Sequence, residues 1–281
     1  MRTISLPFKE SELEALADFC SHARGYKFLM VGACARILAA EAGILEIVPR
    51  SLRATKDFDF GVMFSNQDDY HTFIDQIQDV FSWNGSGVKF YHKKTGTRVD
   101  IIPFGELSEH GQVTLAGSKD KITILGFDEA YECSATWNMN EDVSVQIASD
   151  IGLVILKIIS YYERNEARDI QDVWEIMCAY DTRKNTERIY DSCADEIITG
   201  NVTFDEAKFL LLGKDIAEIT RAETKNVLEE CLKKFLFPDS PDIIRLAGLQ
   251  GTAINRAKHP NQMCRAFLLL KQGMTIINPT P

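Results

Sequence analysis

Near Ser149 the chain changes its periodicity, and that change limits what it can fold into. Before it, short strand-like runs alternate with amphipathic stretches. Ser11 and Glu14 form an S-x-x-E capping box for a first helix, with Leu13, Leu16, Cys20 and Ala23 at helical spacing, and Gly25 ends it. The run Lys27 to Val31 reads as a buried strand, and Gly32 turns it into a helix over 34–45. Asp57 to Phe64 opens with the polar–apolar alternation of a strand. An amphipathic helix is predicted over 68–81, with Phe73, Ile77, Val80 and Phe81 on its apolar side. Gly87 to His92 and Thr97 to Ile102 read as two strands joined by a Lys-Lys-Thr-Gly turn, and 122–125 and 143–147 as further strands. After Ser149, the segments 151–166, 168–180, 183–198, 221–236 and 260–272 all read as helices, with no convincing strand. The expected architecture is an α+β (or α/β) domain over residues 1–149, followed by a helical domain over 150–281.

A chain of 281 residues is long enough for two cores. Its longest apolar run near the N-terminus is broken by Lys27 and Arg36, so neither a signal peptide nor a membrane span is expected. Seven cysteines are scattered singly without a CxxC pair, which predicts reduced thiols in a cytoplasmic protein and no zinc site. The five histidines are equally dispersed and read as surface or satisfied core residues. A net charge of −10 argues against a surface that binds nucleic acid everywhere. It leaves room for a local basic channel, and cations gather at Arg50, Arg53 and Lys56 and again at Lys89, Lys93, Lys94 and Arg98.

Both clusters flank the acids that carry chemistry. In Arg53-Ala-Thr55-Lys-Asp57-Phe-Asp59-Phe60, a strand puts Asp57 and Asp59 on one face and Phe58 and Phe60 on the other. Two adjacent carboxylates repel unless a cation lies between them, and Mg²⁺ (or Mn²⁺) takes such oxygen ligands together with phosphate. The plainer reading of the same pair is a solvated strand face. Upstream, Val31-Gly32-Ala33-Cys34-Ala-Arg36 joins a strand to a helix at a glycine, which lets backbone N–H groups approach a phosphate; the alternative is a tight turn that needs glycine for its backbone. Downstream, Asp100 is a lone acid in the apolar strand Arg98-Val-Asp-Ile-Ile-Pro103. If that strand neighbours the Asp57 strand, Asp100 is a third metal ligand; otherwise it pairs with Arg98 on its own strand face. In the helical half, Lys157 interrupts an apolar helix. Steps of four and seven put Lys157, Tyr161, Arg164 and, if the helix continues, Arg168 along one stripe that could hold a triphosphate, or that could be a lysine stem beside ordinary surface charges. Asp169 and Asp172 share a helix face and either orient those cations or stabilise a helix start.

The glycine turn, the D-x-D strand and the third Asp resemble the nucleotidyltransferase superfamily. Within it the chain looks most like the AbiEii/AbiGii toxin family of type IV toxin–antitoxin systems. The R-x-[ST]-x-D-x-D pattern is matched by Arg53, Thr55, Asp57 and Asp59, and the later Lys and [RK]-D-x-x-D by Lys157 and Arg168-Asp169-Ile-Gln-Asp172. The matched elements span residues 32–172. One departure stands out: the family's first motif continues with Gly or Ser, and here Gly32 is followed by Ala33.

The resemblance implies a nucleotidyltransferase-like mixed sheet and a metal-dependent transfer of NMP from an NTP to an acceptor hydroxyl, with release of pyrophosphate. It implies Asp57, Asp59 and Asp100 as catalytic metal ligands, and Lys157 and Asp169 as further catalytic residues. Nucleotide contacts would come from Gly32, Ala33, Arg36, Arg53, Thr55, Lys157, Arg164 and Arg168. It also implies RNA, notably tRNA 3′ ends, as acceptor, and a separately encoded antitoxin as partner. An antibiotic-modifying small-molecule nucleotidyltransferase uses the same D-x-D, and a non-catalytic nucleotide-binding protein is the remaining alternative.

Overall fold

The computed structural model describes residues 8–41, 57–138, 144–249 and 259–275. Arg50, Arg53, Thr55, Lys56 and the end of the 34–45 helix lie outside the described residues. The chain divides into two compact units, Met1–Gly152 and Leu153–Pro281.

The first unit runs α1 (Glu10–His22), β1 (Phe28–Val31), α2 (Gly32–Glu41), β2 (Asp57–Met63), α3 (Gln67–Ile77), β3 (Phe81–Trp83), β4 (Lys89–His92), β5 (Arg98–Phe104), β6 (Gln112–Thr114), β7 (Lys121–Thr123), α4 (Phe127–Glu132), β8 (Ala135–Asn138) and β9 (Ser144–Ile147). A seven-stranded mixed sheet has the order β3-β4-β5-β2-β1-β9-β8, and β6 and β7 form a separate hairpin. At the centre, β2 runs parallel to β5 and antiparallel to β1, while β1 runs parallel to β9.

Alternation along β2 explains its place. Phe58 and Phe60 are buried on one face, where Phe60 stacks on Phe19 of α1 with ring centroids 4.0 Å apart. The opposite face carries Asp57, Asp59 and Gly61. Only glycine fits at 61, because a Cβ there would lie 2.8 Å from the Phe127 ring of α4.

Three local details differ from the expectation. The first helix starts at Glu10, and its reaching carboxylate is Glu12, which accepts from the Lys9 backbone N–H at 2.8 Å. Glu14 instead pairs with Lys94. A start at Glu10 puts two acids in the first turn, where the helix dipole favours them, and still buries Leu16, Phe19 and Cys20. The predicted 68–81 helix ends at Ile77, capped at its start by Asn66, whose side chain accepts from the Asp69 N–H. Phe81 is taken by β3, paired with His92, so cross-strand pairing overrides the helical period there.

The second unit is helical, with α5 (Asp150–Arg164) crossing into it and α6 (Ala167–Cys178), α7 (Arg183–Ser192), α8 (Ala194–Ile198), α9 (Phe204–Ile219), α10 (Ala222–Leu232), a 3₁₀ turn (Lys233–Phe235), α11 (Pro241–Gly248) and α12 (Pro260–Thr275) following. The protein is therefore α+β with a helical C-terminal half. The predicted 183–198 helix is two helices broken at Cys193, and α9 and α11 were not expected. Helix α9 is buried from Leu210 to Ile216, and the stretch includes Lys214 and Asp215, so its polar residues do not mark a solvent face that would reveal its period. Among the described residues no helix is long and apolar enough to cross a membrane.

Candidate active site

Strand register assembles the first group of side chains. Across β4, β5, β2 and β1, the residues Lys89, Asp100, Asp59 and Val31 stand opposite one another, and in the next row Tyr91, Arg98 and Asp57 do the same. The parallel β2–β5 pairing thus puts Asp57, Asp59, Arg98 and Asp100 on one face of two central strands. This adjacency is what the two acidic motifs needed in order to act together: Asp100 neighbours Asp59, and it also pairs with Arg98.

That pairing is tight. Arg98 donates from Nε to Asp100 Oδ1 at 2.7 Å and from Nη2 to Asp100 Oδ2 at 2.6 Å, and the same Nη2 lies 3.2 Å from Asp57 Oδ2. Asp100 is only 8% exposed, so without a cation its charge would be costly to bury. Hydrogen bonding to Asp100 raises the Arg98 pKa further, against partial desolvation, so the guanidinium stays charged.

The β1–α2 turn closes on the same face. Gly32 adopts φ +73°, in the left-handed region, and a Cβ on it would lie 2.3 Å from Asp59 Oδ2. The glycine is therefore required twice, for its backbone and for its approach to the carboxylate. Cys34, in the first turn of α2, donates its thiol to the Asp57 carbonyl at 3.2 Å and so ties that helix start to the start of β2. Ala33 and Arg36 ride on the same helix.

A further acid lies at this end of the sheet. Strand β9 runs parallel to β1, Ala148 N–H donates to the Met30 carbonyl, and Asp150 follows as the first residue of α5. Asp150 is buried, and desolvation pushes its carboxyl up to about 6, with the Arg36 charge offsetting part of the rise. The sequence reading did not single out Asp150; its only signal was an acid at a strand-to-helix junction.

Among the described residues, no three His, Cys, Asp or Glu side chains gather closely enough to hold a metal ion by themselves. Of the acids on this face, Asp100 has both oxygens engaged by Arg98. The face offers three carboxylates, the oxygen donors a hard divalent cation takes, beside Arg98 and Lys89, and the missing Gly32 side chain makes room for the Asp59 carboxylate.

The remaining basic cluster disperses. Lys93 Nζ donates to the Gln78 carbonyl at 2.7 Å at the end of α3, and Lys94 pairs with Glu14. Lys89 stays exposed beside Asp100. His92 is a satisfied core residue, with Nε2 2.9 Å from Asp18 and Nδ1 2.8 Å from Thr95.

The second unit has its own charged group. Lys157 Nζ lies 3.1 Å from Asp169 Oδ1 and 2.8 Å from Asp172 Oδ2, and Arg164 donates to both Asp169 oxygens at 2.7 and 2.8 Å. Asp169 is 1% exposed; burial opposes its charge, but Arg164 and Lys157 prevail and hold it below the usual carboxylate range. Burial likewise opposes the Lys157 charge, and Asp172 and Asp169 more than offset it. Both readings of the acids agree with the structure: Asp169 lies in the first turn of α6, and Asp169 and Asp172 contact the cations.

The proposed four-residue stripe does not stay together. Tyr161 is buried and donates to Asp242, while Arg168 is exposed. Comparison with known protein families finds no family model that matches this chain, and comparison with curated proteins finds no match.

Proposed function

We propose that this protein is a metal-dependent nucleotidyltransferase that moves NMP from an NTP to an acceptor hydroxyl, with tRNA as the acceptor and growth arrest as a toxin's outcome. One observation carries the chemistry: Asp57 and Asp59 share a face with Asp100 of the neighbouring strand, against a glycine turn at a helix start. The tRNA acceptor and an antitoxin partner rest on the resemblance to the AbiEii/AbiGii family.

Asp57, Asp59 and Asp100 would hold Mg²⁺ or Mn²⁺, which when bound neutralises phosphate charge and helps deprotonate the attacking hydroxyl. The chain's own groups do the rest by positioning and electrostatics. The α2 start offers backbone N–H groups at Ala33 and beyond to an anion. This also answers the missing Ser, since a backbone donor needs no side chain. Arg36, one turn along, adds a fixed cation. In the helical unit, Asp169 holds the Lys157 amine and the Arg164 fork in place.

The test is calorimetric titration of Mn²⁺ with a nonhydrolysable NTP, together with transfer of label from α-labelled NTPs. Wild type should bind metal and transfer label with release of pyrophosphate, and Asp57→Ala plus Asp59→Ala should abolish both. Equal metal binding by wild type and double variant would sink the assignment. Metal and NTP binding without transfer to any acceptor would favour a non-catalytic nucleotide-binding protein.

A further inference from the structure

We propose that Arg98 is an internal counter-ion for the carboxylate face, that a divalent cation displaces it, and that the released guanidinium then binds phosphate. This rests on the reading of Asp57, Asp59 and Asp100 as a metal site. Arg98 turns its Nε and Nη2 to the acids, meeting both oxygens of Asp100 and one of Asp57. A divalent cation on Asp100 would stand beside a guanidinium of like charge held on the same two oxygens, so the guanidinium and the metal compete for this face.

The geometry also decides which partner moves. Asp57, Asp59 and Asp100 stand on β2 and β5, which pair over the full length of both strands, from Asp57 with Arg98 to Met63 with Phe104. The carboxylate stems are short and their backbones are fixed by the ladder. Arg98 has a long stem and a side chain 35% exposed, against 11% for Asp100. It can leave without repacking the core.

Once free, the planar fork suits phosphate oxygens as well as it suits a carboxylate. Three carboxylates against one guanidinium leave the face net negative before metal, and a divalent cation offsets more of that charge than the guanidinium does. The arrangement keeps the site assembled without metal, at the expense of metal affinity.

Mn²⁺ binding read from the electron paramagnetic resonance of free Mn²⁺ separates the possibilities. Arg98→Met should bind Mn²⁺ about tenfold more tightly than wild type and, with Mn²⁺ present, bind a nonhydrolysable NTP at least about fivefold more weakly. Arg98→Lys, which keeps charge without the fork, should fall between. If Arg98→Met folds poorly without metal, wild type alone gives the answer: the nitrogen-15 signal of the Arg98 Nε–H, protected by Asp100, should lose its protection as Mg²⁺ is added. Mn²⁺ affinity unchanged or weaker in Arg98→Met, or an Nε–H signal indifferent to bound Mg²⁺, would overturn the inference while leaving the metal site standing. Mn²⁺ bound no better by wild type than by Asp57→Asn plus Asp59→Asn would remove both.

Discussion

Asp150 and Asp169 are both buried carboxylates in the first turns of their helices, and their surroundings act on them in opposite directions. Asp169 has an amine and a guanidinium within hydrogen-bonding distance, so its charged form is favoured. Asp150 is governed by burial, with Arg36 offsetting only part, and its carboxyl rises from 3.8 to about 6. The signs follow from linkage. The folded state holds the Asp150 proton more tightly than the unfolded chain, so this group's contribution is present below about pH 4 and lost as pH rises through about 6. Asp169, depressed, contributes above the ordinary carboxylate range and loses that contribution as pH falls through its lowered value. A two-unit rise corresponds to on the order of 3 kcal/mol lost at neutral pH. Asp150→Asn should therefore stabilise the protein at pH 7 by roughly 1–3 kcal/mol and remove a decline in stability between pH 4 and 7. Urea denaturation at several pH values reads this directly, and an identical pH profile in variant and wild type would refute the burial argument. If Asp150 instead holds Arg36 for substrate, the stabilised variant should lose NTP affinity, a trade of stability for function.

At the scale of elements, what could be read from the sequence was what local pattern decides. Phe58 and Phe60 against Asp57 and Asp59 fixed the faces of β2, and same-face spacing already paired Arg98 with Asp100. The short strands β1, β4, β7 and β9 were legible, whereas β3, β6 and β8 were not, because each is defined by the strand it pairs with. Register was equally hidden: nothing local says that Asp59 stands opposite Asp100 or that Gly32 approaches Asp59. Helix α9 was missed for the opposite reason, burial all round. Its packing on α12 is close enough to test. A Cβ on Gly213 would lie 2.1 Å from the Leu270 carbonyl oxygen, and one on Gly273 would lie 2.2 Å from that of Leu210. These obstacles are backbone, which cannot swing away like a flexible side chain, so the helices must separate. Gly213→Ala should cost at least roughly 1–3 kcal/mol despite alanine's better helix propensity. Gly248→Ala, where a Cβ meets nothing within 4 Å at the end of α11, should be neutral or stabilising by up to about 1 kcal/mol. Equal effects of the two changes in urea denaturation would show that the α9–α12 contact is looser than described.

For the whole molecule, the question is which acceptor a chain with a net charge of −10 can serve. Net charge acts at long range, but at physiological salt the Debye length is about 8 Å, so charge on distant surfaces is largely screened from the site. Local cations then decide, and among the described residues those on the carboxylate face are Arg98 and the exposed Lys89, which stands opposite Asp100. Lys93 and Lys94 are poor candidates for RNA contact, because one holds the end of α3 and the other a carboxylate of α1. Charge reversal at Lys89 separates the two acceptor classes by sign. If the acceptor is tRNA, Lys89→Glu should lower RNA labelling at least about threefold, and wild-type labelling should fall steeply as salt rises, because each phosphate contact releases counter-ions. If the acceptor is a cationic aminoglycoside, the same change adds attraction, so labelling of the small molecule should hold or rise. Total tRNA and a panel of aminoglycosides, each offered with α-labelled NTPs and Mg²⁺, provide both arms in one experiment. Label confined to RNA and weakened by Lys89→Glu supports the tRNA reading. Label confined to the small molecule removes it and keeps the transferase chemistry, since Asp57 and Asp59 serve either acceptor.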